Sequence, residues 1–233
     1  MDNNEVIKIY REGCDCMRAG EYEEAIEHFT NILEDYGDYA CTLADRGDCY
    51  RMLGRYDEAL KDLNKYLARP TSLKRANYYF SRGETYRMKG QHIEAIADFA
   101  TAIKEEKKYT VAYACRGASY RAIKEYDKSI TDLNQALKLD PKYSFAYFNR
   151  GETYRVMGKL DEAIKDNTEA IKLNQNYSMA YGSRGAAYKE KGDKEKAIAD
   201  LEKAISLNHN YEWAKTQLAE VNGISGNEGA VEE

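Results

Sequence analysis

The chain has 233 residues, 32% of them charged, and a formal net charge of −5. This mild acidity argues against a general affinity for nucleic acid or for anionic membranes, and no apolar run is long enough to span a bilayer. The start of the chain lacks the basic and apolar regions of a secretory signal. The five cysteines are odd in number and lack a framework spacing, so we expect a reducing, cytoplasmic setting.

One hexapeptide sets the organisation of the chain. The sequence Arg-Gly-Glu-Thr-Tyr-Arg occurs at 82–87 and again, letter for letter, at 150–155. Its glycine recurs at steps of 36, 34, 34 and 34 residues, and a further glycine, Gly13, lies 34 residues before the first of these. The recurring glycines are Gly47, Gly83, Gly117, Gly151 and Gly185. A fixed period of this size predicts an array of stacked repeats.

Each repeat is predicted to form a helix, a short turn and a second helix. The six repeats, in chain order, are residues 6–39, 40–75, 76–109, 110–143, 144–177 and 178–211. In 144–177, Tyr147, Gly151 and Tyr154 share one face of the first helix because they lie three or four residues apart. Gly158 is expected to end this helix, and Asp161 is expected to cap or charge the start of the second helix.

Three positions depart from the repeat pattern. Two extra residues fall around 68–72, where we expect a looser or re-angled stack. Lys124 stands where the other repeats have glycine at the helix stop, and Asn167 stands in a slot that otherwise holds leucine or phenylalanine. After the last repeat, residues 212–222 have helical spacing and are predicted to cap the open end, with Trp213 as a packing residue. The Gly-rich, acidic tail 223–233 is expected to be disordered.

These residues resemble the tetratricopeptide repeat (TPR) family. The resemblance covers about residues 6–211 and rests on residues such as Tyr147, Gly151, Tyr154, Gly158, Ala163 and Ala170. It implies an all-α, right-handed superhelical solenoid of about six helix-turn-helix units with a C-terminal capping helix. It also implies a concave groove, lined mainly by the first helices, that holds a peptide or a partner protein.

Comparison of the repeats predicts a ladder of ion pairs. An arginine precedes each of five glycines, and an aspartate follows each arginine after sixteen residues; the first repeat has Glu12 and His28 in these slots, so both slots change together. We therefore expect the two slots to touch and to have a structural role. The pairs are Arg46 with Asp62, Arg82 with Asp98, Arg116 with Asp132, Arg150 with Asp166, and Arg184 with Asp200.

The resemblance places a second set of residues on the concave face. Cations recur one repeat apart, and apolar or polar residues accompany them. The candidate groove residues are Arg51, Asn77, Phe80, Glu84, Arg87, Arg121, Phe145, Phe148, Asn149, Glu152, Arg155 and Lys189. Arginine pairs well with carboxylates, so we expect a ligand that is acidic or carries a free carboxylate, with apolar anchors. The alternative interpretation is that Glu84 with Arg87, and Glu152 with Arg155, neutralise each other at i,i+3 spacing.

The chaperone carboxylate clamp of some TPR proteins is not matched, because Phe80 and Glu84 occupy its first slots and only Asn149 fits. His28, His92 and His209 lie in different slots, so no catalytic constellation forms, and no cofactor or metal site is predicted. We expect a non-enzymatic scaffold with a protein or peptide ligand and no affinity for DNA or membrane. The alternatives are a self-assembling structural protein (an oligomer is allowed), a regulatory subunit of an enzyme complex, and RNA binding through the arginine row.

Overall fold

The computed structural model describes residues 3–37, 39, 41–70 and 75–223. These residues form thirteen helices and no strand, which confirms the all-α class. The helices are α1 (Asn3–Ala19), α2 (Tyr22–Asp35), α3 (Thr42–Met52), α4 (Tyr56–Leu67), α5 (Ala76–Met88), α6 (His92–Glu105), α7 (Thr110–Ala122), α8 (Tyr126–Leu139), α9 (Ser144–Val156), α10 (Leu160–Leu173), α11 (Ser178–Lys191), α12 (Lys194–Leu207) and α13 (Glu212–Asn222). Within this described part of the chain, no helix is both long and apolar enough to cross a membrane.

The chain divides into two compact units, Met1–Ser119 and Tyr120–Glu233, which we call the N-terminal and the C-terminal unit. In each unit, the helices of a repeat pack as a pair, and the second helix of one repeat packs on the first helix of the next. The last helix, α13, packs on α12 and α11. Of the tail 223–233, all residues after Gly223 lie outside the described residues.

The turns inside the repeats use a left-handed residue. Gly54, Gly90, Gly158 and Gly192 have φ between 74° and 83°, a conformation that glycine adopts without steric cost. Lys124 adopts it too, with φ of 64°. Asp161 does not cap α10: the N-cap is Lys159 and has no side-chain cap bond, whereas Asp161 lies in the first turn. It therefore contributes only its charge to the helix start.

Small residues set how closely the helices pack. A Cβ added at Gly151 would lie 2.7 Å from Asn167 Nδ2 and 3.2 Å from the carbonyl oxygen of Ala163. Further along, Ala170 and Ala180 are fully buried in one cluster, where the second helix of one repeat meets the first helix of the next. The glycine brings the two helices of a repeat together, and the alanine pair brings successive repeats together.

The junction with the two extra residues departs from this packing. Tyr66 and Tyr78 occupy the two slots that hold Ala170 and Ala180 three repeats later. Their rings lie edge to face, with centroids 4.8 Å apart. Two tyrosine rings need more space between α4 and α5 than two alanines do, which gives a physical reason for the longer connection.

The arginine and aspartate slots lie against each other in the four repeats that carry both residues and fall within a single compact unit. Arg150 donates to both carboxylate oxygens of Asp166, at 2.6 and 2.8 Å, and the side chains of these residues are 19% and 5% exposed. Equivalent two-bond pairs join Arg46 to Asp62, Arg82 to Asp98, and Arg184 to Asp200. Of the fifth pair, Arg116 belongs to the N-terminal unit and Asp132 to the C-terminal unit.

The same arginines also reach the preceding repeat. Arg150 Nη1 donates to Asn134 Oδ1 at 2.6 Å, and Arg184 Nη1 donates to Thr168 Oγ1 at 3.1 Å. Arg46 and Arg82 make the corresponding bonds to Thr30 and Asn64. One guanidinium therefore joins three helices: its own, the second helix of its repeat, and the second helix of the repeat before it.

Replacing Asp166 with alanine should lower the free energy of unfolding by about 3 kcal/mol, because it leaves a half-buried guanidinium without its bidentate partner. Urea unfolding of the full chain measures this change. Asp161→Ala removes an aspartate from the same helix whose side chain is 82% exposed, and should leave the urea midpoint almost unchanged. Equal losses in the two variants would contradict the structural role of the pair.

Candidate functional site

In the C-terminal unit, the first helices of successive repeats lie side by side. Helix α9 contacts α11, and α11 contacts α13, whereas no contact between α10 and α12 occurs among the described residues of this unit. The first helices are therefore closer to each other than the second helices are. A ligand that runs across the stack can touch several first helices at once, so this side, the first-helix face, is the candidate site.

Each predicted cation of this face has an acidic or amide partner within the protein. Arg155 donates to Glu152 at 2.9 and 3.3 Å and to Glu190 at 2.6 Å. Lys189 contacts Gln217 at 3.1 Å and also pairs with Glu220. Arg121 Nη2 donates to Asn149 Oδ1 at 3.3 Å.

The same pairing holds in the N-terminal unit. Arg87 donates to both oxygens of Glu84, at 2.8 and 2.9 Å. Arg51 donates to Asp48 at 3.2 Å and to Ser81 at 3.3 Å, and Ser81 in turn donates to Asp48. The i,i+3 pairs are thus formed in both units, and the face carries alternating charge rather than a row of unpaired cations.

Glu152 and Arg155 keep each other ionised. Burial raises the pKa of Glu152, but the hydrogen bonds and charge of Arg155, together with a hydrogen bond from Ser183, outweigh it and lower that pKa overall. Burial likewise opposes the charged form of Arg155, yet Glu152 and Glu190 raise its pKa above the usual value. The pair is a stable ionic contact of the face at neutral pH.

The predicted phenylalanines are half-buried rather than exposed. Phe148 packs against Tyr177, with ring centroids 5.2 Å apart, and Phe80 packs against Tyr109 at 5.2 Å. Phe145 lies 5.8 Å from the Tyr143 ring. Each phenylalanine therefore offers part of a ring to the face while the rest belongs to the core.

Two further predicted residues differ in burial. Asn149 is 2% exposed, and its amide nitrogen donates to the carbonyl oxygen of Phe145 at 2.8 Å. Asn149 therefore positions Arg121 from beneath the surface. Asn77, the second residue of α5, is exposed.

Two exposed residues of this face were missing from the predicted set. Met179 is 42% exposed and Trp213 is 39% exposed. Both are the second residue of a first helix, as Phe145 is, and the three lie 34 residues apart. We call Phe145, Met179 and Trp213 the apolar row. The 34-residue register was the signal that could have identified Trp213 as a residue of this face, in addition to the packing role that the sequence predicts for it at the cap.

Trp213 lies across the neighbouring helix because α11 has a glycine beneath it. A Cβ at Gly182 would lie 3.0 Å from the Tyr211 ring and 3.2 Å from the Trp213 ring. The two rings are stacked, with centroids 5.6 Å apart. Gly182 occupies the slot of Phe148 one repeat later, so the aromatic surface continues there from α13 instead of α11.

Asn167 connects the core to this face. It is fully buried, and its amide nitrogen donates to the carbonyl oxygen of Ala163 at 2.9 Å and to Ser183 Oγ at 2.8 Å. Ser183 then donates to Glu152. The amide oxygen of Asn167 is buried without a hydrogen-bond partner, which is a cost that leucine in this slot would not carry.

Among the described residues, one group of potential metal ligands has all its donor atoms within 4.8 Å of one another: Cys16, Glu21 and Glu24. It is partly exposed and shares no residue with the candidate site. All five cysteines are free thiols.

Sequence models of protein families identify the family to which the chain belongs. Models described as tetratricopeptide repeat match residues 10–72, 76–109, 144–177 and 178–211, and a model described as TPR repeat matches residues 117–158. The chain belongs to the tetratricopeptide repeat family. The TPR fold and its relatives make the chain a protein-interaction scaffold in general terms, and TPR proteins are generally non-enzymatic. A comparison with curated protein sequences finds no significant match.

Solved TPR structures resemble the chain over most of its length. MamA is 29% identical, with 72% of this chain and 96% of that chain covered and a TM-score of 0.59. A TPR protein from Parabacteroides merdae is 19% identical, with 94% and 100% covered and a TM-score of 0.70. YrrB, described as a TPR protein with an unusual peptide-binding site, is 22% identical, with 80% and 95% covered and a TM-score of 0.59. The last two likenesses concern the fold alone.

Exchanging the residues of the Asn167 slot tests the cost of the buried amide. Asn167→Leu should raise the free energy of unfolding by about 1 kcal/mol, because it removes a buried acceptor that has no donor. The reciprocal change Leu201→Asn, at the equivalent slot one repeat later, should lower it by at least about 3 kcal/mol. Urea unfolding of both variants measures the difference, and a similar loss in both would show that the Asn167 amide is satisfied.

Proposed function

We propose that the chain binds an extended segment of a partner protein on the first-helix face, with the apolar row as the principal contact, and that it does so without catalysis. The observation that carries this proposal is a large apolar side chain at one slot of α9, α11 and α13, which is exposed in Met179 and Trp213 and half-buried in Phe145. Contiguous apolar surface on a protein is commonly an interaction site, and aromatic and methionine side chains are enriched at the centres of interfaces.

The spacing of the row favours an extended ligand. Packed helices have axes about 8–10 Å apart, and an extended or polyproline-like chain advances about 3.1–3.4 Å per residue. Every third side chain of such a ligand would then meet the next first helix. YrrB, which shares the fold, is described as a TPR protein with an unusual peptide-binding site, so peptide binding has a precedent among proteins of this fold.

The paired charges favour apolar anchors over a purely acidic ligand. Arg155, Arg87 and Arg51 already contact carboxylates of their own helices. A phosphate backbone would have to displace these partners, which speaks against nucleic acid as the ligand. The paired residues instead suit the polar rim of an interface, where they select partners more than they add affinity. The five free thiols support a reducing compartment such as the cytoplasm.

Selection of peptides from a displayed random library on the full chain tests this function. We expect the selected peptides to carry apolar residues at every third position and to lose at least about tenfold in affinity on Met179→Asp, because an apolar contact is replaced by a charge.

Leu173→Asp is the matched control, because Leu173 is 41% exposed at the end of α10, a second helix outside the row. The control should bind as the wild type does. Equal binding by wild type and Met179→Asp would contradict the proposed surface.

A further inference from the structure

The first-helix face of the N-terminal unit contains a carboxylate of a different kind. Asp45 on α3 is 8% exposed. Tyr10 from α1 donates to its Oδ2 at 2.6 Å, and Tyr78 from α5 donates to its Oδ1 at 3.3 Å. One aspartate therefore joins three successive first helices through two tyrosine hydroxyls.

Asp45 has no cationic partner among the described residues. Asp62 and Asp98 in the same unit are buried to a similar degree, and each accepts two hydrogen bonds from an arginine. A buried carboxylate without a cation is costly, and proteins normally pair it. Burial raises the pKa of Asp45 most strongly, the hydrogen bond from Tyr10 lowers it, and the negative charge of Asp48 raises it again. The net result is a pKa above the usual value.

The fold does not require an acid in this slot. Asp45 precedes the ladder arginine, and the equivalent residues of the later repeats are Ser81, Cys115, Asn149 and Ser183. All four are neutral, and two of them are small hydroxyl residues that make hydrogen bonds to the neighbouring first helix. The negative charge is therefore specific to the second repeat.

Aromatic rings surround this carboxylate. Tyr10 lies edge to face with Tyr39, with centroids 5.7 Å apart, and Tyr78 lies edge to face with Tyr66. Tyr66 and Tyr78 are the two tyrosines that replace the alanine pair of the regular repeats. We call Tyr10, Tyr39, Asp45, Tyr66 and Tyr78 the Asp45 cluster. Arg69 and Arg75 already lie over the Tyr66 ring, 5.4 and 5.5 Å from its centroid, so the attraction for a further cation rests on the Asp45 carboxylate and on the Tyr10, Tyr39 and Tyr78 rings.

We propose that the Asp45 cluster of the N-terminal unit binds the alkylammonium group of a lysine side chain of a partner protein. The site is charge-complementary to such a group, because Asp45 is negative and has no internal cation. An ammonium fits better than a guanidinium: each oxygen of Asp45 already accepts one tyrosine hydroxyl, which obstructs the two-bond geometry of arginine. The three donors of an ammonium can instead reach a remaining carboxylate lone pair and the tyrosine oxygens.

This proposal deepens the proposed function and rests on it, because it adds one recognised side chain of a partner protein, bound on the first helices of the N-terminal unit. It is tested with small molecules, so that its failure is distinguishable from failure of the peptide surface. The probes are n-butylammonium, n-butylguanidinium and, as a neutral control, n-butanol, each titrated into the full chain and followed by amide chemical shifts.

We expect n-butylammonium to cause saturable shifts at the Asp45 cluster and to bind more tightly than the guanidinium, with no saturable effect of the alcohol. In Asp45→Asn and Asp45→Ser, the affinity for n-butylammonium should fall by about tenfold or more, because the charged acceptor is lost. Serine is the residue that other repeats carry in this slot, so Asp45→Ser is compatible with the fold. A melting curve of each variant verifies folding.

Asp57→Asn is the matched control, because it removes the same charge from an aspartate whose side chain is 86% exposed in the same unit. It should bind n-butylammonium as the wild type does. The proposal is overturned if the wild type shows no saturable shift at the cluster, if the folded Asp45 variants bind as tightly as the wild type, or if Asp57→Asn weakens binding equally.

Discussion

The repeats depend on one arginine that binds an aspartate sixteen residues later with two hydrogen bonds. In Arg150 and Arg184 the same guanidinium also donates to the second helix of the preceding repeat. A planar group with five donors can make all of these bonds at once, which a lysine could not do. The arginine therefore fixes both the pairing of two helices and the stacking of two repeats, and its partner aspartate can be buried because its charge is fully matched.

Fixing the arginine also determines which residues reach the first-helix face. A residue two positions later, such as Glu152, points toward the neighbouring first helix, where it accepts a hydrogen bond from Ser183. A residue three positions further, such as Arg155, lies on the same face one turn along and pairs with it. The face is thus rich in charge but balanced, and two features interrupt this balance: the apolar row in one unit and the Asp45 carboxylate, which has no cationic partner among the described residues, in the other.

The sequence was sufficient for the fold and for the contact between the ladder slots, because both are repeated. Glu12 and His28 replace the arginine and the aspartate together, which indicated that the slots touch. The sequence was not sufficient to predict whether the charged residues of the first-helix face pair with each other, because i,i+3 spacing permits either internal pairing or ligand binding. The hydrogen-bond partner of Asn167 could not be predicted from the sequence either, because Ser183 belongs to the next repeat. Only the packing of adjacent repeats shows why an amide is accepted in this slot.

Departures from the repeat pattern are therefore more informative here than the pattern itself. Asn167 leaves an amide oxygen unsatisfied, and Asp45 leaves a buried charge without a cation, and both costs fall on residues connected to the first-helix face. Locally unfavourable choices in a protein tend to occur at functional sites, where the gain lies in binding rather than in stability. Since the neighbouring repeats show that leucine and serine fit these two slots, stability alone gives no reason for either residue, and the physical argument for both leads to the side of the first helices, where we propose that the ligand binds.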